Sequence, residues 1–317
     1  MPLSRHSGDC RNDGKEEYIE SNLTLSFLPH LLLAVLEGTV AAAVLALSAL
    51  GLSLVFGVMR VVNVAHGEFF MLGAMLAWWT AKMTPGGPFA GFIAALIVAP
   101  AAVGALAFLT ERLLLRRINY DPEATIVATI GLLFVIQQMA LTFFGADAKP
   151  VAAPFSYRIV FPWFGYSGYK LFVVVASGAV LLGVWWVLSR TRFGLIMRVT
   201  QFDRETATAF GIPVNTVYSV VFVAGAALVA VAAVLIVPIQ QAHYLMGLDP
   251  LLMSFIVVII GGLGSIKGSV IAALLIGMTD GVISVFFSPT LASIISTLAV
   301  AFVLVVRPQG LFGAETR

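Results

Sequence analysis

Seven segments of this chain, residues 31–56, 89–110, 125–144, 171–188, 217–237, 270–287 and 291–306, are apolar for long enough to cross a hydrocarbon layer as helices. At about 1.5 Å of rise per residue, about 20 residues span a core of roughly 30 Å. No water inside that layer satisfies backbone N–H and C=O groups, so segments of this length must bond internally as helices. Two further runs, 69–81 and 251–263, are apolar over about 13 residues, reach only roughly 20 Å and adjoin glycine-containing polar stretches. The expected fold is all-α: a polytopic transmembrane helical bundle of about 8–10 spans with one or two broken or re-entrant helices.

Composition agrees, because 60% hydrophobic and 11% charged residues lie far outside the range of a soluble domain. One domain is expected over residues 23–317. Residues 1–22 form a polar tail, with Asp9, Asp13, Glu16, Glu17 and Glu20 and no apolar core. That pattern is not a signal peptide and fits a disordered outer tail or a misplaced start codon. The single cysteine, Cys10, lies in this tail, so neither an intrachain disulfide nor a cysteine metal site can be built.

Basic residues set the orientation. With the loop after residue 188 in the cytoplasm, 11 of the 18 Lys and Arg residues fall inside, among them Arg112, Arg116, Arg117, Arg190 and Arg307. That asymmetry follows the positive-inside tendency and places the C-terminus in the cytoplasm. The outer connection 145–170 carries Phe155, Tyr157, Phe161, Trp163, Phe164, Tyr166 and Tyr169, read as an interfacial belt or as a docking surface for an extracytoplasmic partner.

Signatures of catalysis are missing. Residues 262–269, GLGSIKGS, lack the Gly-Lys-Ser order of a phosphate loop, and neither a His-Glu-x-x-His pair nor a Gly-x-Ser-x-Gly elbow occurs. No enzyme activity, cofactor, metal or nucleic-acid partner is expected. Three acids, Glu37, Glu68 and Asp280, lie within apolar segments, too scattered for a proton relay, which leaves an ion-coupled carrier as the weaker alternative. Asp280 is expected to be satisfied by an interhelical hydrogen bond.

Residues 51–73 drive Arg60, Asn63, His66 and Glu68 into otherwise apolar sequence. His66 and Glu68, two apart, face different ways on any helix. They cap a broken helix or pair with Arg60; alternatively, residues 63–68 are an unwound stretch lining a pathway, since non-helical backbone survives at membrane depth only beside protein or a water-filled cavity. The loop 189–214 is the second polar feature. Its last part predicts a short amphipathic helix, with Asp203 and Glu205 at the N-terminus and Gly211 before Pro213 as the stop. A helix held outside the bilayer suggests docking, the alternative being a solvated connection.

Four motifs occur in order: GVMRVVNVAHGEFFMLG at 57–73; Arg192-Phe-Gly194 with Arg198, Asp203, Glu205, Ala207 and Gly211; GGLGSIKG at 261–268; and RPQGLFG at 307–313. Together they resemble the LivH-type permease of branched-chain amino acid ABC importers, over about residues 31–313. The resemblance implies a membrane subunit that pairs with a LivM-like permease, two cytoplasmic ABC ATPase subunits and a periplasmic or other extracytoplasmic substrate-binding protein. It also implies that Arg192, Gly194, Arg198, Asp203, Glu205, Ala207 and Gly211 belong to a segment coupling the permease to an ATPase. Asn63, His66, Gly67 and Glu68 become candidates for the substrate pathway. The chain departs from the family in its longer tail and in Lys267, a turn position where other residues are common. The implied cargo is a branched-chain amino acid, with urea or short amides as the alternative. A nontransporting membrane anchor for cytoplasmic proteins is a third reading.

Overall fold

The computed structural model describes residues 10–306. Of the sequence motifs, RPQGLFG and the expected cytoplasmic C-terminus lie outside the described residues, as do residues 1–9 of the polar tail.

Six helices among the described residues are long and apolar enough to cross a membrane. They are α1 (Cys10–Met59, apolar from Leu28), α3 (Gly87–Thr110, continued by a π-helical turn Glu111–Leu115), α4 (Pro122–Phe144), α5 (Gly168–Arg190), α8 (Val214–Ile236) and α10 (Ile266–Phe286). Shorter helices complete the bundle: α2 (His66–Met83), α6 (Arg192–Phe202), α7 (Arg204–Ala209), α9 (Leu248–Gly261) and α11 (Pro289–Val306). One two-stranded hairpin, β1 (Arg158–Val160) with β2 (Gly165–Ser167), pairs antiparallel. The all-α polytopic bundle is therefore observed, with six helices of spanning length among the described residues where 8–10 spans are expected; α2 and α9, each preceded by non-helical chain (60–65 and 237–247), are its two broken helices.

Helix boundaries follow local chemistry where the sequence provides it. Asp121 starts α4 by accepting from the Ala124 amide at 2.9 Å, with Pro122 at the first helical position, where its missing N–H costs nothing. Burial is uneven: α1 and α8 form the interior, whereas α4 and α5 leave Phe134, Phe143, Leu182 and Trp186 exposed. In hydrocarbon such side chains need no cover, because lipid tails are as apolar as a core.

The outer connection is more than a belt. Tyr166 and Tyr169 are buried, Phe155 packs edge-on against Tyr169 and Phe172, and the Tyr169 hydroxyl donates to the Leu235 carbonyl at 2.7 Å. Only part of the aromatic set, including Tyr157 and Trp163, stays exposed.

Packing repeats between two halves of the bundle. α1 packs on α10 and α9 as α8 packs on α3 and α2, and α2 meets α3 as α9 meets α10. Exchanging α1 with α8, α2 with α9 and α3 with α10 maps these contacts onto one another. A Cβ added at Gly51 would lie 2.5 Å from the Gly225 carbonyl oxygen, and one added at Gly225 would lie 2.7 Å from the Gly51 carbonyl oxygen. Such reciprocity is what a local two-fold axis produces.

Candidate functional site

The polar groups of residues 51–73 gather where the two halves meet. α1 ends at Met59, and Arg60 takes a left-handed conformation (φ 56°) that turns the chain back into the bundle. Residues 60–65 are non-helical, and α2 starts at His66. The unwound stretch therefore precedes His66: the expectation of 63–68 is corrected to 60–65, and His66, Gly67 and Glu68 form the first turn of α2.

Each unwound polar group that is bonded finds protein. The Asn63 side-chain oxygen accepts from the Ala65 amide at 3.1 Å, an Asx turn, and the Val64 amide donates to Thr129 Oγ1 of α4 at 3.1 Å. His66 Nε2 lies 3.0 Å from the Ser48 carbonyl of α1, so Nε2 carries the proton and donates. Ser254 of α9 donates to Ser48 Oγ at 2.8 Å and extends this layer into the second half. Arg60 does not pair with His66 or Glu68, as one sequence reading had it. Its guanidinium reaches away and donates to the Gln201 carbonyl at 3.2 Å.

Glu68 is the exception. It is buried, and neither carboxylate oxygen has a hydrogen-bond partner among the described residues. A buried acid without a partner is costly unless something else meets it. Gly67 lies against Gly247, the residue before α9, so the N-termini of α2 and α9 face one another inside the bundle. Two positive dipole ends thus converge beside one unpartnered carboxyl.

Of the other intramembrane acids, Glu37 pairs with Lys170. Asp280 is half-buried and makes no hydrogen bond among the described residues, against expectation. Glu111, which sequence reasoning missed, is fully buried and accepts from Tyr120 Oη and, at 2.6 Å, from Ser219 Oγ. Its neighbours Arg112, Arg116 and Arg117 read as a membrane boundary and concealed it.

The loop 189–214 is two helices rather than one. Thr191 caps α6 by accepting from the Gly194 amide at 3.3 Å. Gly194 sits so close under the Leu188 carbonyl that any Cβ would collide with it, which is why α6 can fold back on α5. Asp203 caps α7, accepting from the Glu205 amide at 2.9 Å and from the Thr206 hydroxyl, and that hydroxyl holds its carboxyl below the usual carboxylate range. α7 closes in a Schellman motif: Gly211 (φ 79°) donates to the Thr208 carbonyl at 2.9 Å and Ile212 to the Ala207 carbonyl at 3.1 Å. The predicted stop and start of this helix are thus where the structure has them.

Coupling candidates divide by position. Gly194 and Ala207 are buried, whereas Arg192, Arg198 and Glu205 are exposed. Phe202 and Phe210, 88% and 81% exposed, flank α7 as an apolar face no sequence reading singled out. Arg204 stacks over the rings of Tyr120 and Tyr218, at 6.0 and 5.7 Å, beside Glu111.

Between the two groups runs one connection. Gln201, at the end of α6, receives Arg60 on its carbonyl and donates its side-chain amide to the Gly264 carbonyl at 3.5 Å. Arg60 opens the crossing into α2, and Gly264 follows α9. Both broken helices are therefore tied to one residue of the loop. Among the described residues, no group of three or more His, Cys, Asp or Glu side chains could hold a metal ion.

A family model described as the permease component of the branched-chain amino acid transport system matches residues 34–305. The BraD permease of Pseudomonas aeruginosa is 26% identical over 300 residues, covering 90% of this chain and 96% of that protein. The LivH permease of Salmonella typhimurium is 27% identical, covering 87% of this chain and 94% of its own. A probable LivH of the archaeon Methanocaldococcus jannaschii is 26% identical, covering 89% and 92%. Both bacterial relatives are named as high-affinity branched-chain amino acid transport system permeases. No solved structure matches the chain.

Proposed function

Since the chain belongs to the permease family of branched-chain amino acid transport systems, we infer that it is the membrane-embedded permease of an ABC importer, moving branched-chain amino acids while separate subunits hydrolyse ATP. The observation carrying this reading is the convergence of Arg60 and Gly264 on Gln201. A force applied to α6 and α7 from outside the bilayer reaches both broken helices through that residue.

The partners are two ATPases, one of them seated on α6 and α7, a second LivM-like permease, and a substrate-binding protein on the opposite side. The exposed Phe202 and Phe210 supply apolar anchors for an ATPase, of the kind found at interface centres. The C-terminus and the loop 189–214 face the cytoplasm. The cargo is a zwitterion with an aliphatic side chain. Its carboxylate suits the facing N-termini of α2 and α9, and its ammonium suits Glu68. The names of the relatives favour that cargo over urea or short amides.

The test is uptake of labelled leucine into proteoliposomes. The assembled importer should transport only with ATP and the binding protein present. Uptake by this chain alone, driven by a proton or sodium gradient, would make it an ion-coupled carrier and overturn the reading.

A further inference from the structure

Two cavities meet at the end of the bundle that carries α6. The first, of about 300 Å³, opens between the ends of α1, α5 and α6 and the α9–α10 turn, and presents Ser53, Ser189, Arg198, Gln201 and Lys267. The second, of about 430 Å³, is an apolar groove along α5 and α10, lined by Leu50, Leu182, Val270 and Ile271. Trp185, Ile266 and Lys267 line both, so the two are adjacent. One molecule with a charged end and a hydrocarbon body fits this pair.

The charge of that end follows from what lines it. Arg198 and Lys267 are exposed and have no ion-pair partner among the described residues. Ser53 is fully buried in the first cavity, and its hydroxyl has no hydrogen-bond partner among the described residues. The N-terminus of α10 at Ile266 adds a positive dipole end. Two cations, a free hydroxyl and a helix N-terminus ask for an anion with several acceptor oxygens.

We propose that these cavities bind one anionic phospholipid, its phosphate between Arg198 and Lys267 and an acyl chain in the groove beside Trp185. A soluble anion leaves the groove empty, and a zwitterionic lipid brings its own cation up against Arg198 and Lys267. Basic pockets between membrane helices on the positively charged side select such headgroups. The bound phosphate bridges α6 to the start of α10, next to the Gln201–Gly264 contact, and stiffens the path from the loop to the broken helices. The proposal depends on neither the cargo nor the energy source.

The test uses the importer assembled in nanodiscs with brominated lipids, reading the fluorescence that Trp185→Phe removes. Brominated phosphatidylglycerol should quench Trp185 about fivefold more effectively than brominated phosphatidylcholine, the factor one lysine near an anionic surface supplies. Lys267→Gln should abolish the preference and Lys267→Arg should keep it. If Lys267→Gln does not assemble, raising salt on the unmodified protein should erode the preference instead. Equal quenching by both lipids overturns the proposal. So does absence of quenching by either, which would mean a second protein subunit covers the groove, or relief of quenching by inorganic phosphate, which would mean the cavity takes a free anion.

Discussion

Gly67 and Gly247 touch backbone to backbone: a Cβ on either would overlap the carbonyl oxygen of the other. They lie at the N-termini of α2 and α9, so this contact is where the two halves of the bundle join at their broken helices.

Because backbone fills the space on both sides, neither glycine can be enlarged without moving a helix. Gly67→Ala and Gly247→Ala should each destabilise the assembled protein by about 1–3 kcal/mol, the usual cost of overpacking. Thermal melting in detergent measures this, and an unchanged midpoint for both variants would remove the contact from the fold's essentials.

Glu68 gives the opposite pairing of stability and activity. Its carboxyl has no partner among the described residues, so Glu68→Gln should leave melting unchanged or raised. If it meets the cargo's ammonium, uptake at low substrate should nonetheless fall about ten- to a hundredfold, matching loss of a charge-assisted bond of about 1.5–3 kcal/mol. Loss of stability together with uptake would identify Glu68 as structural.

Arg60→Ala removes the guanidinium bond to the Gln201 carbonyl and leaves the helices intact. Transported molecules per ATP hydrolysed should drop several-fold while ATPase activity persists. Unchanged stoichiometry in proteoliposomes would show that movement reaches the broken helices by another route.

Asp203 caps α7 as a carboxylate, and the Thr206 hydroxyl holds its titration below the usual carboxylate range. A depressed native value means the contribution is complete above the unfolded value and fades as pH falls through the native one. Protection of the α7 amides, taken relative to unstructured-peptide exchange at each pH, should therefore stay flat from neutral pH down to the ordinary carboxylate range and fall only below it. Asp203→Ala should speed that exchange at neutral pH, whereas Asp203→Asn should retain the cap. Equal exchange in all three proteins would contradict the capping role.

Legibility varied along the chain. The start and stop of α7 could be read directly, since Asp203, Gly211 and Pro213 act within a few residues of themselves. α6 could not: its sequence mixes apolar and charged residues, and its position rests on Gly194 fitting beneath Leu188, a contact between separate helices. The polar run near Asn63 was visible as an anomaly, but the edge of the break was misplaced by a few residues. What sets that edge is the bond from Val64 to Thr129 and the left-handed turn at Arg60, neither of which has a local signature.

The sequence by itself determined that the chain crosses a membrane as helices, because hydrocarbon leaves the backbone no other way to satisfy its polar groups over apolar runs of that length. It also determined the family, through motifs spaced along nearly the whole chain. Only the tertiary structure decided which faces meet. In a bilayer, lipid-facing and buried positions are equally apolar, so hydrophobic periodicity is silent about packing. The junction of Gly67 with Gly247, the burial of Glu111 and the link from Arg60 through Gln201 to Gly264 join residues far apart in the chain, and each exists only once the helices have come together.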